Sequence, residues 1–172
     1  MKNIQHTLYN YTVILICLLL TGCGIYSFTG ASIEPNISSF QVNFFRNNAS
    51  IVEPGLDRIF TQTLQDLITN QTSLNLTNTG GDLIYEGEIV EYYIAPMTAT
   101  AQNTAAQNRL TIAVNVRFYD TKNEGNDIEQ RFSFYYDYPG AAQLTGAQKD
   151  TAVEEIFERI TQDVFSATLA KW

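Results

Sequence analysis

The residue with the most specific chemistry is Cys23, because the residues before it match a bacterial lipobox. Leu20-Thr21-Gly22 supplies one branched apolar residue followed by two small ones. Small residues admit the chain to a signal-peptidase cleft, and the thiol accepts a diacylglycerol before cleavage frees the amine for a third chain. Each buried methylene adds about 0.8 kcal/mol of membrane affinity, and stable anchoring needs more than one chain. We expect Cys23 to be lipidated; the alternative is an ordinary signal peptide with a chance cysteine.

The segment before Cys23 is typical of a cleaved secretory signal. Lys2 gives a positive start, and the apolar run over 13–20 (VILICLLL) is too short to span about 30 Å of hydrocarbon as a permanent helix. We predict that residues 1–22 are removed, leaving a lipidated tether over 23–38 and a single domain over 39–172. Gly24, rather than aspartate, follows the cysteine, which favours the outer membrane over retention at the inner membrane.

Removal of the signal segment excludes several kinds of chemistry. It takes away His6, the only histidine, and Cys17, one of two cysteines. Cys/His zinc sites, Ser-His-Asp or Cys-His catalysis and disulfides are therefore excluded, and we predict no metal and no cofactor besides the lipid on Cys23. The formal charge of −8 becomes −9 when Lys2 is lost, which argues against nucleic-acid binding.

One pair of carboxylates invites a hydrolase hypothesis. Glu86 and Glu88 lie two residues apart in a predicted strand, and carboxylates about 5 Å or more apart can divide acid and nucleophile roles. Pairing with arginine across strands explains them equally well, and no second catalytic feature accompanies them. We predict that the protein is not an enzyme and has no catalytic residue.

The elements that must position these residues follow from the spacing of apolar side chains. They are a strand over 40–45, a helix that begins after Pro54-Gly55 and carries apolar residues to Ile68, strands over 82–94, 110–119 and 128–138, and a helical stripe over 153–169. In the strand over 82–94, simple alternation places Tyr85 and Ile89 on one face and Glu86, Glu88 and Tyr92 on the other. Gly87 indicates a bulge or a close contact with a helix.

The order β-α-β-β-β-α predicts an α+β fold, a two-layer sandwich with both helices on one face of a four-stranded mixed sheet. Each helix then buries its one apolar stripe against the apolar face of the sheet. The other face is polar and stays available to water or a partner. The segment from Ala95 to Asn108 has no apolar period, and we predict a long loop there.

Four stretches together resemble a known family. They are the lipobox leading into 23–28 (CGIYSF), the helix start Pro54-Gly55-Leu56, the strand over 80–89 (GGDLIYEGEI) and the strand over 109–114 (RLTIAV). In that order they resemble the LptE type of lipopolysaccharide-assembly lipoprotein. The resemblance implies a protein that sits in the lumen of a large outer-membrane β-barrel, helps that barrel assemble and assists lipopolysaccharide insertion at the outer leaflet. A piloting or scaffold lipoprotein of another outer-membrane complex is the alternative.

Four basic residues are the candidate contacts for lipopolysaccharide, which we expect to be a weak or secondary ligand. They belong to or flank the central hairpin: Arg109, Arg117, Lys122 and Arg131. Guanidinium groups grip phosphate through paired donors, and strand parity places Arg117 and Arg131 on the same polar face. The alternative is that these residues pair across strands with Glu86, Glu88, Glu129 or Asp137 on a solvated face.

The predicted loop supplies most of the candidate contacts with the barrel. The candidate interface residues are Tyr92, Ala95, Pro96, Met97, Thr98, Gln102, Asn103 and Gln107. The segment would order against the barrel wall, and the alternative is a tolerated mobile loop. A subset of the tyrosines at 92, 93, 135, 136 and 138 could add an aromatic patch.

Overall fold

The computed structural model of the protein describes residues 33–97, 107–139 and 143–170. Its main elements, in chain order, are β1 (Ser39–Val42), β2 (Arg46–Asn47), α1 (Leu56–Gln71), β3 (Asn75–Leu76), β4 (Leu83–Met97), β5 (Gln107–Asp120), β6 (Ile128–Pro139) and α2 (Gly146–Thr168). A single 3-10 turn, Glu124–Asn126, lies between β5 and β6.

These strands form one mixed sheet in the order β3-β1-β4-β5-β6, with β2 also paired to β4. β1 and β2 run parallel to β4, whereas β4, β5 and β6 are antiparallel neighbours. The predicted two-layer α+β sandwich is confirmed. The predicted count of four strands is wrong, because the described part of the sheet also contains two strands of only two residues, β2 and β3, which are too short to show an alternating pattern.

The helices and the sheet meet in an aromatic core. Gly55 caps α1 with φ of 86°, a left-handed conformation that glycine adopts without strain. Phe60 of α1 is fully buried and makes edge contacts with Phe45 and with Phe157 of α2, at ring-centroid distances of 4.9 and 5.1 Å. Each helix therefore buries its apolar stripe where the pattern predicted.

The hairpin of β4 and β5 is longer than predicted. Residues 95–97 continue β4 and residues 107 and 108 begin β5, so both ends of the predicted Ala95–Asn108 loop are strand. Ala95 lies opposite Arg109 and Met97 opposite Gln107 in the antiparallel register. The backbone ladder extends the strands here although the side chains do not alternate. The middle of that loop falls outside the described residues.

A register shift between Ile89 and Glu91 changes which face the rest of β4 presents. The extra residue, Val90, reverses the alternation beyond it. Tyr92 is consequently buried with 6% of its surface exposed, and Tyr93 is 53% exposed. The prediction that Tyr92 shares a face with Glu86 is wrong for this reason.

Gly87 marks a close contact rather than a bulge. A Cβ built at this position would lie 2.0 Å from the carbonyl oxygen of Asn115 and 2.7 Å from Cε1 of Phe45. The neighbours are a strand backbone and a ring, so the prediction of a contact with a helix is wrong. Only glycine lets β4, β5 and Phe45 approach this closely.

Helix α2 begins at Gly146, about two turns before the first residue of its predicted apolar stripe. The opening turns are mostly exposed and lack that stripe, so the pattern missed them. At the other end, the hydroxyl of Thr168 lies 3.0 Å from the buried hydroxyl of Tyr85 in β4. Burial raises the pKa of Tyr85, so this phenol stays protonated and the two hydroxyls bond to each other.

Candidate functional site

The face of the sheet turned away from the helices, here called the open face, carries most of the candidate residues. Alternate positions of β4, β5 and β6 form it: Glu86, Glu88, Glu91, Tyr93, Arg109, Thr111, Asn115, Arg117, Tyr119, Arg131, Tyr135 and Asp137. Asn115 faces Arg131 in the register and neighbours Arg117 on the same side of β5. Arg117 and Arg131 therefore share the open face, as strand parity predicted.

Arg117 is held by two carboxylates of the neighbouring strand. Its Nε donates to Oε1 of Glu86 at 3.1 Å, and its two Nη atoms donate to Glu88 at 3.3 and 3.2 Å. The register places Glu86 directly opposite Arg117, and Glu88 two residues further along β4, opposite Asn115. The hydrogen bonds that Arg117 donates to Glu88 and Glu86 raise its pKa further above the ordinary value, so the guanidinium is permanently charged.

Arg109 makes the second pair, with Asp137 of β6 directly opposite. The contact is bidentate, from Nε and Nη2 to the two carboxylate oxygens at 2.7 and 2.8 Å. The guanidinium also lies over the ring of Tyr135, 3.6 Å from its centroid, in a cation–π arrangement. The hydrogen bonds that Asp137 accepts from Arg109 lower the pKa of Asp137 below its ordinary value.

The other two basic candidates also have acidic partners. Arg131 forms an ion pair with Glu91, which the register shift in β4 brings onto the open face. Lys122 lies apart from the open face, and its Nζ is 2.8 Å from Oδ1 of Asp82, next to the start of β4. All four predicted phosphate contacts are thus paired with carboxylates. A phosphate group would have to displace an existing partner at each of them.

Asp82 is the centre of a polar cluster that the sequence analysis missed. Its Oδ2 accepts hydrogen bonds from the backbone and hydroxyl groups of Ser38 and Ser39, at 2.9 to 3.1 Å. The ion pair with Lys122 and these bonds hold the pKa of Asp82 well below its usual range. The cluster ties the beginning of β1, where the chain enters the domain, to the hairpin turn after β5. The four donors of Ser38 and Ser39 and the Nζ of Lys122 come from segments distant in sequence, so the cluster leaves no local sequence signal.

Glu86 and Glu88 do not form an isolated carboxylate pair, since both are bound to Arg117. Among the described residues, no group of three or more histidine, cysteine, aspartate or glutamate side chains could hold a metal ion. Over the same residues, neither helix combines the length and apolar character needed to cross a membrane. Cys23, the predicted lipidation site, lies outside the described residues.

The candidate interface residues fall into three groups: those at strand ends, one in the core, and those outside the described residues. Ala95, Pro96, Met97 and Gln107 lie at the far ends of β4 and β5, where Pro96, Met97 and Gln107 are exposed. Tyr92 is buried in the core, so its side chain is not available to a partner and that prediction is wrong. Thr98, Gln102 and Asn103 fall outside the described residues.

Two tyrosines of the predicted aromatic patch do lie exposed on the open face. Tyr93 and Tyr135 are 53% and 46% exposed, and Thr111 lies between them in the register. Tyr138 is buried and Tyr136 half-buried. The exposed aromatic surface is therefore limited, within the described residues of the five candidates, to Tyr93 and Tyr135.

Two solved structures with TM-scores of 0.50 or above share this fold at low sequence identity. A hypothetical protein from Chlamydia trachomatis superposes with a TM-score of 0.51 and 10% identity, covering 78% of this chain and 99% of that one. A protein from Xanthomonas campestris gives a TM-score of 0.50 and 11% identity, covering 81% of this chain and 90% of that one. The solution structure of an uncharacterized lipoprotein B from Nitrosomonas europaea gives 0.48 and 12%, covering 74% and 79%.

Comparison with curated proteins gave no significant match. A comparison with family models, in contrast, matched residues 37–168 to LptE, described as lipopolysaccharide-assembly. That range includes every strand and both helices named above, from β1 to the end of α2. The chain belongs to the LptE family of lipopolysaccharide-assembly proteins.

Proposed function

We propose that the mature chain is an outer-membrane lipoprotein that plugs, and helps to assemble, the β-barrel of the lipopolysaccharide export translocon. In that position it assists insertion of lipopolysaccharide at the outer leaflet. The observation that carries the proposal is the family match, because it extends over the whole described domain rather than over one motif.

The character of the open face supports a role inside a barrel. The lumen of a large outer-membrane barrel is lined by polar side chains. The open face offers half-exposed, charge-compensated pairs such as Arg117 with Glu88, together with the exposed ring of Tyr93. A surface of this kind suits contact with a polar wall. Because the basic residues are already paired, we place lipopolysaccharide contact second to the plug role.

The proposal also includes a lipid anchor at Cys23 and a role without catalysis. Three acyl chains on Cys23 would hold the domain at the membrane without a spanning helix. The two carboxylates that suggested hydrolysis are bound to Arg117 instead of being directed at a substrate. We therefore assign a structural and assembly function rather than an enzymatic one.

Copurification tests the assembly role. The tagged, lipidated protein is extracted from membranes in mild detergent, and the proteins that elute with it are identified by mass spectrometry. We expect one large outer-membrane barrel in about equal amount, together with other components of lipopolysaccharide export. Recovery of a different envelope complex instead would contradict the proposal and support the piloting or scaffold alternative.

The Cys23→Ser variant tests the anchor. We expect it to fold normally, because residue 23 precedes every element of the core, but to incorporate no labelled palmitate and to leave the outer-membrane fraction unless a partner holds it. Thermal melting measures the fold, and membrane fractionation measures the location. Palmitate on the Cys23→Ser protein would disprove the assignment of this thiol as the lipidation site.

A further inference from the structure

A groove of about 450 Å³, here called the helix groove, lies between α1 and α2. Residues of α1 between Leu56 and Asp66 form one wall, and residues of α2 between Lys149 and Glu158 form the other. At about 1.5 Å per helical residue, the α2 wall is about 14 Å long, which matches about four residues of extended chain. The helix groove is therefore of a size to hold a short peptide segment.

The floor of the helix groove is apolar. Leu56 and Val153 are almost fully buried there, and Ile59 is half-buried and packs against the core. Ile51 and Val52 lie in the loop directly before the first lining residue, and they are 55% and 63% exposed. A cavity with an apolar floor, next to exposed apolar side chains, is typical of a surface that binds a partner.

The rim of the helix groove is acidic. Three carboxylates follow one another at four-residue spacing and so form one row along α2: Asp150, Glu154 and Glu158. Asp66 adds a fourth from α1. Among the described lining residues the one cation, Lys149, is bound to Glu53 at 2.6 Å. Within the described part of the chain, none of Asp66, Glu154 and Glu158 forms an ion pair.

We propose that the helix groove holds a short segment of the outer-membrane barrel that is rich in lysine or arginine. The side chains of these two residues combine an apolar stem with a charged end. In the helix groove the stems would cover Ile59 and the floor, and the charged ends would reach rim carboxylates such as Glu154 and Glu158. Opposite charges across an interface select the partner and its orientation. This inference rests on the proposed function, which supplies the barrel as the partner.

Charge distinguishes the helix groove from the open face. On the open face, Arg109 and Arg117 already form ion pairs with the carboxylates beside them. Among the described residues of the helix groove, Glu53 alone forms such a pair. A barrel wall would therefore have to supply cations mainly on the helix side of the domain. The phosphates of lipopolysaccharide would be repelled by the same carboxylates, so the charges favour a cationic polypeptide.

Photocrosslinking from inside the helix groove tests the occupant. A photoreactive phenylalanine derivative replaces Thr63 of the α1 wall in the full, lipidated chain. The matched control is Gln62, the exposed neighbour that lies outside the lining residues. We expect crosslinks from position 63 to a barrel stretch rich in lysine or arginine, and crosslinks from position 62 elsewhere. Crosslinks from position 63 to a segment without these residues or to lipopolysaccharide, or no crosslink, would overturn the proposal.

Charge reversal measures the contribution of the rim. Glu154→Lys with Glu158→Lys reverses two exposed carboxylates, and Glu124→Lys with Glu129→Lys makes the same change in net charge away from the helix groove. In copurification we expect the rim variant to recover about tenfold less barrel, and the control to stay within about twofold of wild type. Both should melt close to wild type, because the substituted positions are exposed. Equal recovery by the two variants would overturn the contact.

A milder variant guards against misfolding of the reversed protein. Glu154→Gln with Glu158→Gln removes the charges and nearly keeps the side-chain shape, and we expect about threefold less barrel in copurification. Replacing the crosslinked lysine or arginine residues of the barrel by glutamate should restore its recovery with the Glu154→Lys and Glu158→Lys variant. Wild-type recovery by the glutamine variant, or no rescue by the exchanged barrel, would overturn the proposal.

The outcomes separate this contact from the plug role. Crosslinks to the barrel from position 62 with none from position 63 would overturn the helix groove as a docking site and leave the plug role standing. Crosslinks from position 63 to a basic segment of another envelope protein would overturn the barrel as the partner, and with it the plug role, but would support a cationic ligand for the helix groove.

Discussion

The two faces of the sheet hold their side chains in different ways. On the face covered by the helices, residues such as Tyr85, Ile89 and Val114 have no exposed surface and belong to one continuous apolar cluster. On the open face, Arg117 and Glu88 keep about a quarter of their side-chain surface exposed, at 28% and 23%, and are held by hydrogen bonds between charges. Burial of apolar area stabilises a fold strongly, whereas half-exposed ion pairs stabilise it little. The side chains of the open face can therefore be used to bind a partner with little loss of fold stability.

The largest expected effect is on the covered face, at Phe60. Phe60→Ala removes a fully buried ring that contacts Phe45 and Phe157, and we expect the free energy of unfolding to fall by about 3–5 kcal/mol. Phe44→Ala is the matched control, because that ring is 57% exposed, and its cost should stay within about 0.5 kcal/mol. Urea denaturation measures both. Equal losses would contradict the assignment of the core.

The next effect concerns acid stability, at the Asp82 cluster. A carboxyl group whose pKa is lowered on folding stabilises the protein fully above its ordinary pKa of 3.8, and this contribution is lost as pH falls toward the lowered value. Asp82→Asn should therefore melt well below wild type at pH 7, and the difference should shrink steadily below about pH 4. Thermal melts across this range measure it.

Asp66, an exposed carboxylate of α1, provides the matched control for losing one negative charge at pH 7. We expect Asp66→Asn to melt close to wild type there. A difference between wild type and Asp82→Asn that persists unchanged to pH 2.5 or so would show that the ionised carboxylate is not what binds Ser38 and Lys122.

The smallest effect is expected on the open face. Arg117→Gln removes both ion pairs, with Glu86 and with Glu88, yet should lower the free energy of unfolding by only about 0.5–1 kcal/mol, since these pairs are partly exposed. The difference should diminish in about 1 M salt, where screening is strong. Arg58→Gln, a change at an exposed position of α1, is the control. If Arg117→Gln lowered the free energy of unfolding as much as Phe60→Ala does, the claim that the two faces differ in their contribution to stability would be contradicted.

The fold was largely predictable because its elements have clear periods. The apolar stripe of α1 and the alternation of β5 identify their elements without tertiary information. The errors have physical causes. One extra residue at Val90 reversed the predicted face of Tyr92, and the ladder with β5 held Ala95 and Met97 in a strand that their side chains do not indicate. Backbone pairing, unlike side-chain burial, leaves no period in the sequence.

The site was less predictable than the fold. Parity correctly placed Arg117 and Arg131 on one face, but their partners depend on the register between strands, which no single strand encodes. Glu91 reaches Arg131 only because of the shift at Val90. Asp82 collects its donors from segments about forty residues away in sequence, so its role emerges only in the folded chain.

The central claim, that this domain occupies the lumen of a barrel, is tested most directly by photocrosslinking from opposite sides of the molecule. A photoreactive phenylalanine derivative replaces Tyr93 on the open face in one strain, and Gln162 on the exposed side of α2 in another. In the proposed plug role a lumen would surround the domain, so we predict that both positions crosslink to the same outer-membrane barrel. Crosslinking from one face alone, or to two unrelated proteins, would contradict the account.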